Sequence, residues 1–150
     1  IVGNDALEEF NYSELYAPLD LGIGPCRLSV AARKEDIADI KSERASHIRI
    51  ATKYPNITKR YYASLGLQAD CIKLNGAMEI APALGMVRRI VDLVSTGSTL
   101  KANGLEEMET ILDVSSRLIV NRTCMKLNAD QMQNWIEKFR AAMEEHKNAA

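Results

Sequence analysis

With 150 residues, 47% hydrophobic and 26% charged, the chain has the size and balance of one globular domain or two small connected lobes, which excludes a disordered chain. Its net charge of −1 supplies no basic field that would draw it to nucleic acid, so an anionic ligand must be held by local groups. No apolar run approaches the ~18 residues of a membrane span, and no signal peptide is visible.

The three cysteines, Cys26, Cys71 and Cys124, form no CxxC pair and read as reduced thiols of a cytoplasmic protein rather than a disulfide or zinc framework. His47 and His146 lack ligand-spaced neighbours, so no protein metal site is expected. The chain opens on Ile1-Val2-Gly3, which reads as the end of a buried strand. The expectation is that an N-terminal portion is missing.

In chain order, Cys26–Ala31 is expected to be a strand after a loop with Gly22, Gly24 and Pro25. Lys34–Glu43 reads as a short surface helix with Ile37 and Ile40 on one face. His47–Ala51 alternates like a strand, and Asn56 is expected to cap a helix from about Ile57 to Leu65, closed by Gly66. Asp70–Leu74 is the next strand. Gly76 opens a predicted helix carrying Met78, Ile80, Ala81 and Leu84 that stops near Gly85. Arg89–Val94 is a strand, followed by strands at Glu106–Asp113 and Ser116–Val120. The last helix is expected to be capped by Asn128 with Gln131 in the capping-box position. Its stripe of Met132, Trp135, Ile136, Phe139 and Met143 has helical spacing and reads as core or subunit contact. This alternation predicts α/β layers with largely parallel sheets, and such sheets bind ligands beyond the carboxyl ends of their strands.

That rule directs attention to Asp92-Leu93-Val94-Ser95-Thr96-Gly97-Ser98-Thr99-Leu100. A buried strand runs into a hydroxyl-rich turn around Gly97, where the backbone can approach a ligand closely. Successive N–H groups in such a turn form an anion site, and Thr96, Ser98 and Thr99 add hydroxyl donors. Asp92, near the strand's exit, is placed to accept hydrogen bonds from sugar hydroxyls. On spacing alone, a Ser/Thr turn capping a helix reads equally well. Neither a Walker A nor a G-x-G-x-x-G pattern is present.

The run Glu79–Leu100, with Gly85, Ile90, Asp92, Thr96, Gly97, Thr99 and Leu100 in register, resembles the signature of ATP phosphoribosyltransferases. Asp20-Leu21-Gly22, Cys26-Arg27-Leu28, Ala51–Asn56, Asn103-Gly104-Leu105 and Val114–Asn121 are also similar to that family. Val87 stands where the signature usually has a smaller residue. The resemblance covers nearly the whole chain. It implies a two-lobed, periplasmic-binding-protein-like (type II) α/β architecture with the active site in the cleft between lobes. Residues 1–27 and 117–150 would be part of a first lobe that is incomplete by about 60 residues, at ~30 per βα unit. Residues 28–116 would form the second lobe, which carries the loop.

The implied reaction joins N1 of ATP to C1 of phosphoribosyl pyrophosphate (PRPP) and releases pyrophosphate, the first step of histidine biosynthesis. Asp92 and Glu79 are the implied catalytic carboxylates, stabilising an oxocarbenium-like transition state. Without the resemblance, Glu79 reads as a solvated helix carboxylate. Asp92, Ser95, Thr96, Gly97, Ser98, Thr99 and Leu100 are the implied PRPP-binding residues. Mg²⁺ is the implied cofactor, bound mainly through pyrophosphate. The ending after Met143 looks like the short form of the family. Such a subunit is expected to form a homodimer and to work with a separate regulatory subunit related to histidyl-tRNA synthetases. The tail Asn148-Ala149-Ala150 is expected to fray. A chain lacking the start of its first lobe is expected to be impaired in catalysis. The competing expectation is a non-catalytic ligand-binding module of the same topology.

Overall fold

The computed structural model describes residues 1–149, and the side chains of residues 1–146. The chain divides into two units, one comprising Ile1–Pro25 and the chain from Ser115 onward, the other Cys26–Val114. The division falls two residues before each expected boundary. Its reason is pairing: Cys26 and Val114 are antiparallel partners, so the strand ladder of the second unit already includes both.

The second unit is built on a five-stranded sheet. Its strands are β3 (Cys26–Arg33), β4 (His47–Thr52), β5 (Gln68–Lys73), β6 (Arg89–Val94) and β7 (Leu105–Val114), in the order β5-β4-β6-β3-β7. The β4–β5 and β4–β6 pairs are parallel, whereas β3 runs antiparallel to both β6 and β7. The sheet is therefore mixed rather than largely parallel. Both faces are covered, which is why β3 and β6 read as nearly continuous apolar runs. Leu28, Val30, Ile48, Ile50 and Val91 enter one core. Ala31, Ala51, Ile90 and Val94 enter the other, together with Met78, Val87, Leu100 and Leu105. Val87, the one departure from the family pattern, is only 6% exposed and fills space there.

After β3 a 3₁₀ turn (Lys34–Asp36) leads into α2 (Ile37–Ser42), the short surface helix expected there, with Ile40 buried. Helix α3 (Pro55–Ser64) begins earlier than expected, because Pro55 takes the first helical position, where its fixed φ and missing N–H suit the helix. Asn56 is thus inside the helix and is not its cap; the entry is held by Tyr54 N donating to Thr52 Oγ1 at 2.9 Å. The exit follows the expected pattern. Gly66 sits at φ 75°, its N–H bonds to the Ala63 carbonyl and that of Leu67 to the Tyr62 carbonyl, a Schellman closure.

The helix expected from Gly76 is instead a single 3₁₀ turn, Met78–Ile80, followed by turns. Pro82 explains the difference, since it lacks the donor that would continue a helix and its ring crowds the preceding turn. Next comes α4 (Ser98–Ala102), directly after β6.

The first unit is an antiparallel three-stranded sheet of β1 (Val2–Gly3), β2 (Leu15–Asp20) and β8 (Ser116–Asn121), with β8 in the centre. α1 (Asn4–Phe10) connects β1 to β2. β1 is a strand as expected, but only partly buried, and Ile1 is 69% exposed. After β8, Asn121 caps α5 (Arg122–Leu127) by accepting from the N–H groups of Thr123 and Cys124, a short helix not anticipated from the sequence. Asn128 ends α5, and it is its carbonyl that accepts from Met132 N at 3.0 Å as α6 (Ala129–Ala149) begins. The Asn128 side-chain amide points to Cys124 Sγ at 3.9 Å instead of capping. α6 runs through Ala149, so of the tail expected to fray only Ala150 lies outside the described residues.

The α6 stripe is only partly as expected. Ile136 is 2% exposed and packs with Leu21 and Leu118, flanked by Phe139 and Met143. Trp135 is 52% exposed and lies under the Lys138 ammonium, 5.1 Å from the ring centroid. The two positions should separate in denaturant titrations. Ile136→Ala is expected to cost about 2–5 kcal/mol, because it opens a cavity where α6 is closed off from water. Trp135→Ala should cost at most about 1 kcal/mol. Equal losses would contradict an anchoring of α6 through Ile136.

Candidate functional site

Because β4, β5 and β6 run parallel, their carboxyl ends share one edge of the sheet. β3 runs the other way, so its first residues meet that same edge, with Arg27 opposite Val94 and Ser29 opposite Asp92. A cavity of about 250 Å³ lies there, lined by Glu79 and the unbroken run Asp92–Leu100. The sequence-predicted residues are thus brought together in a single place.

The backbone leaves β6 at Val94, turns at Gly97 and enters α4. Gly97 sits at φ 77°, in the left-handed region that an L side chain disfavours by roughly 1–2 kcal/mol. Space is not the constraint, since an added Cβ would meet only Val94 Cγ1 at 3.8 Å. Ser95, Thr96, Ser98 and Thr99 are exposed and available to a ligand. Thr96 Oγ1 and Ser98 Oγ lie 3.0 Å apart. The loop is closed by Lys101 N donating to the Gly97 carbonyl at 3.1 Å and by Asn103 Nδ2 donating to the Thr99 carbonyl at 2.9 Å. Leu100 differs from its neighbours. It borders the cavity, but it is 7% exposed and packs into the core with Val94, so it anchors α4 to the sheet.

Asp92 is half-buried. One carboxylate oxygen accepts from Leu93 N at 2.8 Å. Burial pushes its pKa above the ordinary carboxylate value; the Leu93 bond opposes this, the nearby Glu79 charge adds to it and the Lys53 charge offsets it. Glu79 is brought beside Asp92 by a reversal at Ala77, which lies in the left-handed region at φ 55°. It is only partly exposed and sits in a 3₁₀ turn rather than a helix. Lys53, which follows β4 at the same edge, was not singled out by sequence reasoning. The topological rule that selected the end of β6 would also have found it, had the parallel partner of β6 been known.

Two further charged residues missed at the sequence level lie on the same face of the sheet as Asp92. Arg27 Nε and Nη2 donate to the two Glu107 carboxylate oxygens at 2.5 Å each, and Arg27 Nη1 donates to the Ser95 carbonyl at 3.2 Å. Ser29, fully buried, donates from Oγ to Glu107 Oε1 at 2.7 Å. Their sequence separation of 80 residues hides the Arg27–Glu107 pair from any local pattern.

The raised pKa of Asp92 has a consequence for stability. A carboxyl whose folded pKa exceeds its unfolded value favours folding in its protonated form, so at neutral pH the ionised group is a cost. Asp92→Asn should therefore leave the melting temperature at pH 7 unchanged or raised, since the amide oxygen still accepts from Leu93 N. Any gain should shrink as pH falls through the carboxylate range and the native Asp92 takes up its proton. A melting temperature several degrees lower at pH 7 would show that the charge is stabilising instead.

The family model described as ATP phosphoribosyltransferase matches residues 1–141. A curated relative from Rhodospirillum rubrum with that name is 66% identical over 142 residues, covering 95% of this chain and 63% of its own length. One from Rhizorhabdus wittichii is 61% identical over 150 residues, covering all of this chain and 67% of its own. The chain thus spans about two thirds of the relatives it matches. Among solved structures, the ATP phosphoribosyl transferase (HisG:HisZ) complex from Thermotoga maritima is similar at a TM-score of 0.79 and 32% identity, over 95% of this chain and 68% of that one. An ancestral amino acid-binding protein, a precursor of cyclohexadienyl dehydratase, shares the fold at a TM-score of 0.59 and 10% identity, covering 91% of this chain and 59% of its own. With its family model matched almost end to end and its fold shared with both kinds of structure, the chain belongs to the ATP phosphoribosyltransferase family.

Proposed function

We propose that the full-length protein joins N1 of ATP to C1 of PRPP with release of pyrophosphate, the entry step of histidine biosynthesis. The observation that carries this reading is the cavity in which a half-buried Asp92 stands beside an exposed hydroxyl turn, Ser95–Thr99. A 5′-phosphate needs several short donors and a close backbone, which the turn offers. A ribose needs a carboxylate acceptor a few ångströms away, which Asp92 offers.

As the C1–oxygen bond to pyrophosphate breaks and the N1–C1 bond forms, positive charge develops on the ribose. Asp92 and Glu79 stabilise it, and partial burial strengthens their field relative to water. Mg²⁺ fits as an ion carried mainly by pyrophosphate. Glu79 and Asp92 line one cavity, and two carboxylates beside substrate phosphates are a usual Mg²⁺ environment. When bound, the ion neutralises the leaving group.

By analogy with the family, the full-length protein is read as a cytoplasmic homodimer. A regulatory subunit is proposed by analogy with the Thermotoga maritima complex.

The test is calorimetric titration of PRPP with Mg²⁺, together with turnover assays. Asp92→Asn is expected to lower kcat/KM for PRPP by about 100-fold, the scale of losing one pre-organised charge contact. Unchanged turnover would remove Asp92 from the mechanism, and the absence of PRPP binding by the full-length protein would favour a non-catalytic ligand-binding module. If regulation passes through a partner, histidine should inhibit the complex and not the isolated subunit, with a coupling of ~1–3 kcal/mol between sites. Saturable histidine binding to the isolated subunit, with loss of activity, would contradict that arrangement.

A further inference from the structure

We infer that Arg27, clamped by Glu107, is a positioning residue for the anion loop, its third bond holding the Ser95 carbonyl and so fixing the course of the backbone as it leaves β6. The inference rests on the reading of Ser95–Thr99 as the PRPP phosphate site. Three observations carry it.

The first is where the clamp sits. Arg27 opposes Val94 in the β3–β6 ladder, and Ser95 is the first residue beyond it. The Ser95 carbonyl accepts a bond from a side chain on the neighbouring strand, at 3.2 Å.

The second is how the guanidinium is used. Two of its nitrogens are taken by Glu107 in a bidentate fork. Such a fork fixes the plane of the group as well as its position. Glu107 is fixed in turn by the buried Ser29 hydroxyl at 2.7 Å, with Thr110 Oγ1 at 3.4 Å. Ser29 is fully buried in β3 and its hydroxyl is committed to Glu107. Arg27 holds the Glu107 carboxyl below its usual range, so the fork stays charged into acid.

The third is charge. With its fork on Glu107, Arg27 presents a neutralised pair to the loop, which suits holding a carbonyl better than binding a phosphate directly.

The two roles give opposite results in Glu107→Gln. A direct phosphate ligand would be freed by this change, and KM for PRPP would fall or stay level. A positioning residue would be loosened. KM for PRPP is then expected to rise about tenfold, the equivalent of roughly 1.4 kcal/mol, with KM for ATP unmoved. Amide hydrogen exchange across Thr96–Thr99 should quicken in the same full-length variant. Arg27→Lys, which keeps the cation but loses the fork, should reproduce both changes and serves if Glu107→Gln fails to fold.

Unchanged KM for PRPP, a rise without faster exchange, or an equal rise for ATP would each overturn the inference. If the wild-type protein did not use PRPP at all, the functional reading would fall instead, and loop exchange in the two variants would alone decide whether Arg27 positions the turn.

Discussion

The structure of the second unit depends on one strand, β3, lying antiparallel between β6 and β7. Its register places Ser29 opposite Asp92 and Arg27 opposite Val94, and on its other side it reaches the strand that carries Glu107. A slip of one residue would turn Arg27 and Ser29 to the opposite face and bring Leu28 and Val30 out of their core. The same hydrophobic pattern that fixes the strand therefore fixes the polar floor of the site. Burial of Leu28 and Val30 on one face, and of Ala31 on the other, holds that register.

Asp92 shows the other side of the same economy. A carboxylate half-withdrawn from water, with a single backbone donor and a second acid nearby, is a poor contribution to folding. The nearby Lys53 charge offsets that cost only in part. Ala77 belongs to the same pattern, since a non-glycine residue in the left-handed region accepts backbone strain to bring Glu79 beside β6.

How much was legible in the sequence follows from the range of each interaction. The strands of the second unit and the turn at Gly97 are local, written in alternation, glycine and hydroxyl residues. Asp92 and the loop could be read together because they are contiguous, and that run lines one cavity. Strand direction was not legible, because an apolar run looks the same either way, and so the mixed sheet and the antiparallel first unit came as departures. Where Pro55 began a helix early and Pro82 kept another from extending, the imino ring outweighed the cap signal at Asn56 and the apolar spacing after Gly76. Lys53, just beyond β4, and Arg27 and Glu107, on β3 and β7, come near Asp92 and Ser95 only through the sheet order. Trp135 and Ile136 were both read into the α6 stripe, but neighbours on a helix point about 100° apart, and only Ile136 is buried.

Cys26 and Val114, the first and last residues of the second unit, are antiparallel partners, and such partners lie only about 5 Å apart at Cα. The unit is thus a loop in the topological sense, entered and left through one doorway. A link of about two or three residues could join its ends, at ~3.8 Å per residue, and keep the order of its own five strands.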